Sequence, residues 1–218
     1  MAYQDDIKKA AALLLPWNKL SGCNILVTGA TGLIGGCLVD VLMAHKGRNY
    51  NVYASGRNEE RAGRRFLKYA DDNSFHFVKY DVAHPLEYDV NFQYIIHAAS
   101  GAYPEEFIKH PVEVIKGNIN GVDNLMGYGI QHGIKRLLYI SSGEVYGEGD
   151  GRVFTENYSG YVDCTSLRSC YPSSKRAAET LCISYGAEYG IDVVIARPCH
   201  VYGPGFTESD NRVYAQFI

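Results

Sequence analysis

Apolar runs rich in β-branched residues alternate with longer helix-forming segments along almost the whole chain. This alternation is typical of a parallel sheet covered by helices on both faces, because buried parallel strands need helical crossovers between them. The predicted strands are Asn24–Thr28, Asn51–Ser55, Phe75–Tyr80, Tyr94–His97, Arg136–Ser141 and Asp192–Ala196. The predicted helices are Leu33–His45, Glu59–Tyr69, Val112–Gln131 and Pro172–Tyr189. The predicted fold class is therefore α/β, with a doubly wound parallel sheet.

The 218 residues divide into three predicted parts. Residues 1–22 form an N-terminal helical extension, in which Gln4 to Leu15 make an amphipathic helix that Pro16 ends and that packs outside the sheet. Residues 23–205 form the sheet domain. Residues 206–218, after a polar turn, are expected to begin a further and smaller domain.

Charge and cysteine usage exclude several classes of protein. The 21 basic and 24 acidic residues give a net charge of −3, which disfavours a nucleic-acid-binding surface. No apolar run approaches the roughly 18 residues that a membrane span needs. The six cysteines include no C-x-x-C pair and no zinc-like cluster with histidine. We therefore expect a cytoplasmic protein with reduced thiols that binds neither nucleic acid, membrane nor metal.

A glycine-rich turn follows the first strand directly and leads into an apolar helix. Gly29 permits a tight turn, Gly32 lets the backbone approach a pyrophosphate, and Gly35 lets the helix pack close to the strand. The free N–H groups and the dipole of the helix then face the phosphates. This context predicts a dinucleotide site, whose turn is formed by Gly29, Thr31, Gly32, Leu33, Ile34 and Gly35.

The end of the second strand bears on the choice between NAD and NADP. A carboxylate about 20 residues after the glycine turn usually binds the adenosine ribose of NAD. Here the sequence reads Ser55-Gly56-Arg57-Asn58, without an acid. The guanidinium of Arg57 would suit the 2′-phosphate of NADP, although arginine also stacks on adenine in NAD-binding proteins.

One tyrosine of the 18 has a lysine four residues later, in Tyr171-Pro172-Ser173-Ser174-Lys175. Pro172 suits a first helical position, which predicts that Tyr171 and Lys175 lie one turn apart on the same helix face. An ammonium beside a phenol favours the phenolate, so we expect a lowered pKa and a general base. Ser142 follows the fifth strand, where a hydroxyl can hydrogen-bond a reacting oxygen.

Six motifs in order carry a resemblance to a known family. They are Thr28-Gly29-x-x-Gly32-x-x-Gly35, His97-Ala98-Ala99, Asn118, Ser142, Tyr171-x-x-x-Lys175 and Arg197-Pro198 with Tyr202-Gly203-Pro204. Together they resemble the extended short-chain dehydrogenase/reductase family, in particular its nucleotide-sugar epimerases and dehydratases. The resemblance runs from residue 24 to residue 205.

The resemblance implies roles for individual residues. Ser142 matches the catalytic serine or threonine, Tyr171 the base, and Lys175 the lysine that also holds the nicotinamide ribose. Asn118 matches a helix asparagine that supports the active site and the cofactor. Further residues match cofactor contacts on other strands, namely Asp81, Val82, Ala98, Ala99, Ser100 and Pro198. Arg57 and Asn58, after the second strand, are the cofactor contacts that we expect from their position.

Three positions bear on the reaction and the substrate. Glu144 matches a glutamate that dehydratases and decarboxylases of the family often carry, where it removes a proton from C5 or steadies a keto intermediate. Gly143 stands where many 4,6-dehydratases have an acid, and glycine cannot donate a proton. His200 stands where asparagine is frequent, beside the nicotinamide and the substrate.

The resemblance implies an enzyme in which NAD(P)+ oxidises C4 of a nucleoside-diphosphate sugar transiently, with Tyr171 as base and Ser142 beside it. An alternative is a reductase of keto sugars or small carbonyl compounds that consumes NADPH, which Arg57 favours. A third reading is an NAD(P)-sensing protein whose catalytic residues are idle. The resemblance also implies a small C-terminal substrate domain, most of it absent from this chain, and a homodimer through a four-helix bundle of Val112–Gln131 and Pro172–Tyr189.

Overall fold

The computed structural model describes residues 2–102 and 104–204. Its strands are β1 (Asn24–Thr28), β2 (Asn51–Gly56), β3 (Phe75–Lys79), β4 (Tyr94–His97), β5 (Arg136–Ile140) and β6 (Asp192–Ala196). Its α-helices are α1 (Ala2–Ala11), α2 (Leu33–Ala44), α3 (Glu59–Phe66), α4 (Pro104–Lys109), α5 (Pro111–His132) and α6 (Cys170–Tyr189). Single turns of 3₁₀-helix lie at Trp17–Leu20, Leu67–Tyr69, Gly143–Tyr146 and Leu167–Ser169.

The six strands form one parallel sheet in the order β3-β2-β1-β4-β5-β6. The order runs outwards in both directions from β1 and β4, so the connections leave these two neighbouring strands towards opposite edges. In sheets of this kind, ligands bind at the carboxyl ends of the strands where the order reverses. The structure confirms the predicted doubly wound, Rossmann-type α/β fold.

Each face of the sheet is buried under its own apolar layer. On one face Val27 and Val52 pack with Val39 of α2 and Phe66 of α3. On the other face the apolar side chains of the sheet pack against α5 and α6, with Leu26, Ile95, Leu137, Val122, Leu125 and Ala178 all buried. The two layers fix the strand ends that carry the predicted site.

The N-terminal helix is shorter than predicted. It ends at Ala11 rather than Leu15, and Leu14 is fully exposed. The helical conformation is disfavoured for a residue that precedes proline, so Leu15 cannot easily belong to the helix and the helix ends before Pro16. The helix does pack outside the sheet, against α2, where the Tyr3 hydroxyl donates to Asp40 Oδ2 at 2.6 Å.

Two helices differ from the prediction near the site. The short helix α4 was not predicted, because six residues between Pro104 and Lys109 carry too little periodicity to read. Helix α6 begins at Cys170, so Pro172 is its third residue rather than its first. Proline is tolerated there because N–H groups in the first turn have no partner within the helix.

Some expectations concern features outside the sheet. Residues 206–218, where a further domain was expected to begin, lie outside the described residues. Within residues 2–102 and 104–204, no helix is long and apolar enough to cross a membrane, and no group of three acidic, histidine or cysteine side chains could hold a metal ion. All six cysteines are free thiols.

Candidate functional site

A cleft of about 740 Å³ lies beyond the carboxyl ends of the central strands. Its walls come from the glycine turn after β1 and from the segments that follow β4, β5 and β6. The predicted site residues that line it are Gly29, Gly32, Leu33, Ile34, Gly35, Ala98, Ser100, Ser142, Glu144, Tyr171, Pro198 and His200. The structure thus brings most of the predicted residues to one cavity.

The remaining predicted residues do not line this cleft; they are Thr31, Arg57, Asn58, Asp81, Val82, Ala99, Asn118 and Lys175. Arg57 is exposed at the end of β2, and Asp81 follows β3, so both lie at the same sheet edge as the glycine turn. Asn58 has a structural role, because its Oδ1 caps α3 by accepting from the Arg61 backbone N–H at 2.8 Å.

The glycine turn has the close packing that its sequence predicts. Gly29 has a φ of +65°, and a Cβ there would lie 2.6 Å from the Ala98 carbonyl oxygen. A Cβ on Gly35 would lie 2.4 Å from the Gly29 carbonyl oxygen. Side chains at either position would therefore push apart β1, β4 and the start of α2, where free N–H groups face the cleft.

Tyr171 lies in the first turn of α6 and is 7% exposed. Its ring stacks on Phe107 of α4, with centroids 4.7 Å apart and planes at 25°. Burial raises the pKa of the Tyr171 phenol, and the hydroxyl of Ser142 opposes this by hydrogen bonding. The prediction of a lowered pKa is therefore wrong for the protein described here, because burial of the phenol outweighs hydrogen bonding and the charge of Arg168.

Lys175 lies one helical turn after Tyr171 and is almost completely buried. Its Nζ donates to the Ile140 carbonyl oxygen at 2.9 Å and lies 5.8 Å from the centroid of the Tyr171 ring. Burial lowers the pKa of Lys175 to about 7. The predicted same-face arrangement of the pair is confirmed, but the ammonium lies under the cleft floor rather than in the cleft.

Asn118 of α5 belongs to a buried chain of hydrogen bonds that reaches the tyrosine. The Ser100 hydroxyl donates to Asn118 Oδ1 at 2.8 Å, and Asn118 Nδ2 donates to Ser174 Oγ at 2.9 Å. The Ser174 hydroxyl in turn donates to the Tyr171 backbone carbonyl oxygen at 3.1 Å. Asn118 thus helps to hold the first turn of α6, which carries Tyr171.

His97 at the end of β4 has a structural position below the cleft. It is buried, and its Nδ1 lies 2.8 Å from Thr28 Oγ1, which also contacts the Ala99 backbone N–H at 3.4 Å. Burial, followed by the charge of Lys175, lowers the pKa of His97 to about 3. A neutral imidazole therefore ties β1 to β4 beneath the glycine turn.

Ser142 and Glu144 stand together after β5. Ser142 Oγ accepts the backbone N–H of Glu144 at 3.2 Å and so caps the 3₁₀ turn Gly143–Tyr146. The Glu144 carboxylate accepts from a guanidinium nitrogen of Arg168 at 2.5 Å. A Cβ on Gly143 would lie 2.7 Å from Cys199 Sγ, so this thiol fills the space that a side chain at position 143 would need.

Several residues that line the cleft were missed by the sequence analysis, and four of them bear on its chemistry. Ser141 is buried, lines the cleft, and its hydroxyl has no hydrogen-bond partner within the described part of the chain. Arg168, Phe107 and Cys199 also line the cleft. None of the four had a sequence signal from helical spacing, because Arg168 lies in the 3₁₀ turn before α6 and the others lie on separate segments.

The residues present fit a dinucleotide. Gly29 and Gly35 let the turn pack against Ala98 and the start of α2, and both glycines line the cleft with Gly32. The buried hydroxyl of Ser141, which has no partner within the described residues, lines the same cleft. Tyr171 lines the same cleft, and Lys175 lies buried one helical turn after it. The fold and this glycine turn define an α/β protein that binds a dinucleotide.

The chain belongs to the NAD-dependent epimerase/dehydratase family, whose sequence profile matches residues 25–218. UDP-glucuronic acid decarboxylase 6 of Arabidopsis thaliana is 37% identical over 201 residues, which are 91% of this chain and 56% of that protein. UDP-glucuronic acid decarboxylase 1 of Xenopus tropicalis is 34% identical over 196 residues, 89% of this chain and 45% of that protein. The chain therefore spans about half the length of these relatives.

A solved structure supports the same relationship. The UDP-glucuronic acid 4-epimerase of Bacillus cereus, in complex with UDP-glucuronic acid and NAD, superposes with a TM-score of 0.68 at 26% identity. The match covers 83% of this chain and 58% of the epimerase. The resemblance to the nucleotide-sugar branch of the extended short-chain dehydrogenase/reductase family is thereby confirmed.

Proposed function

We propose that this chain holds the catalytic half of an enzyme that transiently oxidises C4 of a nucleoside-diphosphate sugar. The observation that carries the proposal is that Ser142 and Tyr171 line the same cleft as the glycine turn after β1. Lys175 is buried one helical turn after Tyr171. NAD(P)+, when bound, supplies the hydride acceptor.

Tyr171 is the proposed base that removes the proton of the C4 hydroxyl, while Ser142 hydrogen-bonds the same oxygen. Because burial raises the pKa of the phenol, its proton cannot leave without compensation by positive charge. A protonated Lys175, whose Nζ lies 5.8 Å from the centroid of the Tyr171 ring, would favour the phenolate. Burial lowers the pKa of Lys175 to about 7, so the proposed role requires Lys175 to hold its proton while Tyr171 ionises.

Decarboxylation is the proposed continuation. Oxidation at C4 of a sugar acid creates a ketone β to the carboxylate on C5. The C5–C6 bond then breaks, its electron pair forms the enolate, CO₂ leaves, and a proton from solvent returns to C5 through a group such as Glu144. Return of the hydride first taken from C4 then reduces the ketone and gives the pentose. The similarity to UDP-glucuronic acid decarboxylases supports decarboxylation as the outcome. Position 143 carries no acid that could protonate a leaving hydroxyl, and Cys199 Sγ occupies the space that a side chain there would need.

The experiment is an incubation of the chain with NAD+ and either UDP-glucuronic acid or UDP-glucose in D₂O, followed by NMR. We expect a UDP-pentose that carries deuterium at C5. A C4 epimer without solvent deuterium would remove Glu144 from the mechanism and favour an epimerase, whereas C5 deuteration with loss of water would favour a dehydratase.

A second candidate is the reductase that consumes NADPH. The observation that favours it is the exposed Arg57 at the end of β2, without a carboxylate beside it in sequence. Denaturing the purified protein and identifying the released nucleotide separates the candidates. Tightly bound NAD+ supports an enzyme that oxidises and then re-reduces its substrate. Protein that is purified without a nucleotide and consumes NADPH supports the reductase.

The proposed assembly is a homodimer that joins α5 and α6 of two subunits in a four-helix bundle. Large apolar side chains are exposed on both helices, with Val112 at 56%, Ile115 at 39% and Ile183 at 58%. Light scattering at micromolar concentration is expected to give twice the monomer mass, and a monomer would contradict this assembly.

A further inference from the structure

Three consecutive leucines protrude from the protein after α1. Leu13, Leu14 and Leu15 are 57%, 104% and 52% exposed. Leu14 is more exposed than any other large apolar residue in the part of the chain that the structure describes. Single exposed leucines are common, but a contiguous apolar group on a surface is typical of a contact with a partner or a membrane. We call residues 13–15 the leucine tip.

The leucine tip is held on a packed support. The Trp17 ring stacks on the ring of His45, with centroids 4.2 Å apart and planes at 17°. Trp17 Nε1 donates to the Leu13 carbonyl oxygen at 2.9 Å, and His45 Nδ1 lies 3.2 Å from the Ala11 carbonyl oxygen. The backbone on both sides of the tip is therefore tied to the end of α2, while the leucine side chains stay in solvent.

Lysines surround the leucine tip. Lys8 and Lys9 lie in the last turn of α1, Lys19 lies in the 3₁₀ turn that follows the tip, and Lys46 comes directly after the stacked histidine. Lys9 pairs with Asp6 at 3.6 Å, with both side chains more than 70% exposed. The other three lysines make no ion pair within residues 2–102 and 104–204. The two acids of α1 lie further from the tip than its lysines, so the tip stands in a basic surrounding.

The leucine tip lies at the opposite end of the sheet from the cleft. The tip and its supporting histidine come shortly before β1 and β2 in the chain, at the amino ends of the parallel strands. The cleft lies beyond the carboxyl ends. A surface that covers the tip therefore leaves the cleft open. The tip also precedes residue 25, where the match to the family profile begins, so the family's fold does not account for it.

The chemistry of this surface favours an anionic lipid layer as its partner. Leucine, tryptophan and lysine are the residues that an interfacial segment presents: leucine enters the acyl boundary, and lysine reaches the headgroup phosphates. A two-fold contact between two tips would instead bring the same lysines of both copies together. Three leucines also cover far less than the roughly 800 Å² per partner of a stable protein interface.

We propose that the leucine tip docks this chain reversibly on a lipid surface with anionic headgroups, with the cleft facing the solution. A surface contact needs no helix that spans the membrane. The proposal departs from the sequence-based expectation that the chain binds no membrane, which considered only a spanning segment.

The test is co-sedimentation of the chain with two kinds of vesicle, one of phosphatidylcholine alone and one of phosphatidylcholine and phosphatidylglycerol in equal parts. Trp17 is the single tryptophan of the chain, so its fluorescence reports directly on the surroundings of the tip. Leu14→Ser removes the most exposed leucine. Leu67→Ser is the matched control, because Leu67 is 73% exposed in a 3₁₀ turn elsewhere on the protein.

We expect the wild type to bind the anionic vesicles with a blue shift of Trp17 emission, and to bind phosphatidylcholine alone at least about tenfold more weakly. Leu14→Ser should weaken binding to the anionic vesicles about tenfold or more, since one leucine no longer enters the acyl boundary. The double variant Lys8→Gln/Lys19→Gln should weaken it by about as much, and Leu67→Ser should match the wild type.

No binding of the wild type to the anionic vesicles would overturn the proposal, as would equal binding by the wild type and Leu14→Ser or equal binding to both kinds of vesicle. A dimer in light scattering that Leu14→Ser dissociates, without vesicle binding, would assign the tip to a contact between two copies of the chain. No sugar substrate enters the test, so its result is independent of the proposed C4 oxidation.

Discussion

Replacing Lys175 with methionine tests the buried ammonium beneath the cleft. Methionine has nearly the same length and volume, but it carries no charge and needs no hydrogen bond. In the wild type the pKa of Lys175 is lowered from 10.5 to about 7, chiefly by burial. The free energy of unfolding of the wild type should therefore depend on pH where that of Lys175→Met does not.

The sign and the size follow from the lowered pKa. Between pH 7 and pH 10.5 the unfolded chain holds the lysine proton and the folded protein has released it, so the free energy of unfolding rises with pH. One pKa unit corresponds to about 1.4 kcal/mol, which puts the cost of the buried charge on the order of 5 kcal/mol below pH 7. From about pH 7 to about pH 9, the wild type should gain about 2 kcal/mol relative to Lys175→Met.

The assay is urea denaturation of both proteins, without added cofactor, at several pH values in this range. Taking the difference between the two proteins cancels the titration of the tyrosines. Lys116→Met is the control, because Lys116 lies exposed on α5, and its pH profile should follow the wild type. Parallel profiles for the wild type and Lys175→Met would refute the lowered pKa.

Other variants test the glycine turn, the N-terminal packing and the cofactor. Gly35→Ala places a Cβ 2.4 Å from the Gly29 carbonyl oxygen and should weaken NAD+ binding at least about tenfold in a fluorescence titration. Gly63→Ala is the control, because a Cβ at Gly63 meets open space, and it should leave NAD+ binding unchanged. Asp40→Asn removes the charge from a buried carboxylate that is bound by two cations and two tyrosines. It should lower the free energy of unfolding in urea denaturation by only about 2 kcal/mol, because the two cations can rehydrate. An unchanged free energy of unfolding would contradict this. Arg57→Ala should weaken NADP+ binding about tenfold and leave NAD+ within about twofold, while equal changes would rule out a 2′-phosphate contact.

The sheet and the glycine turn were predictable because both depend on the order of residue types within short segments of the sequence. Apolar runs placed all six strands within one residue at each end, and the close approach of Gly29 to Ala98 follows from the order of strand, turn and helix. The Tyr171–Lys175 pair was predictable for the same reason, since helical spacing alone puts the two side chains on one face.

The electrostatics of the site could not be predicted in this way. Desolvation of Tyr171 depends on Phe107, which reaches the ring from α4, more than 60 positions away in sequence. The partnership of Arg168 with Glu144 depends on a turn before α6 meeting a turn after β5. Burial and charge are set by such tertiary contacts, so the sequence indicated which groups react but not the direction in which their pKa values shift.

The most direct test of the account replaces Tyr171 with phenylalanine and follows the formation of reduced nicotinamide in a single turnover with UDP-glucuronic acid and NAD+. Phenylalanine keeps the stacking on Phe107 and removes only the hydroxyl, so NAD+ binding serves as the internal check on folding. We expect the rate to fall at least about a hundredfold, the low end for loss of a general base, with NAD+ affinity preserved. A rate equal to that of the wild type would show that another group removes the C4 proton.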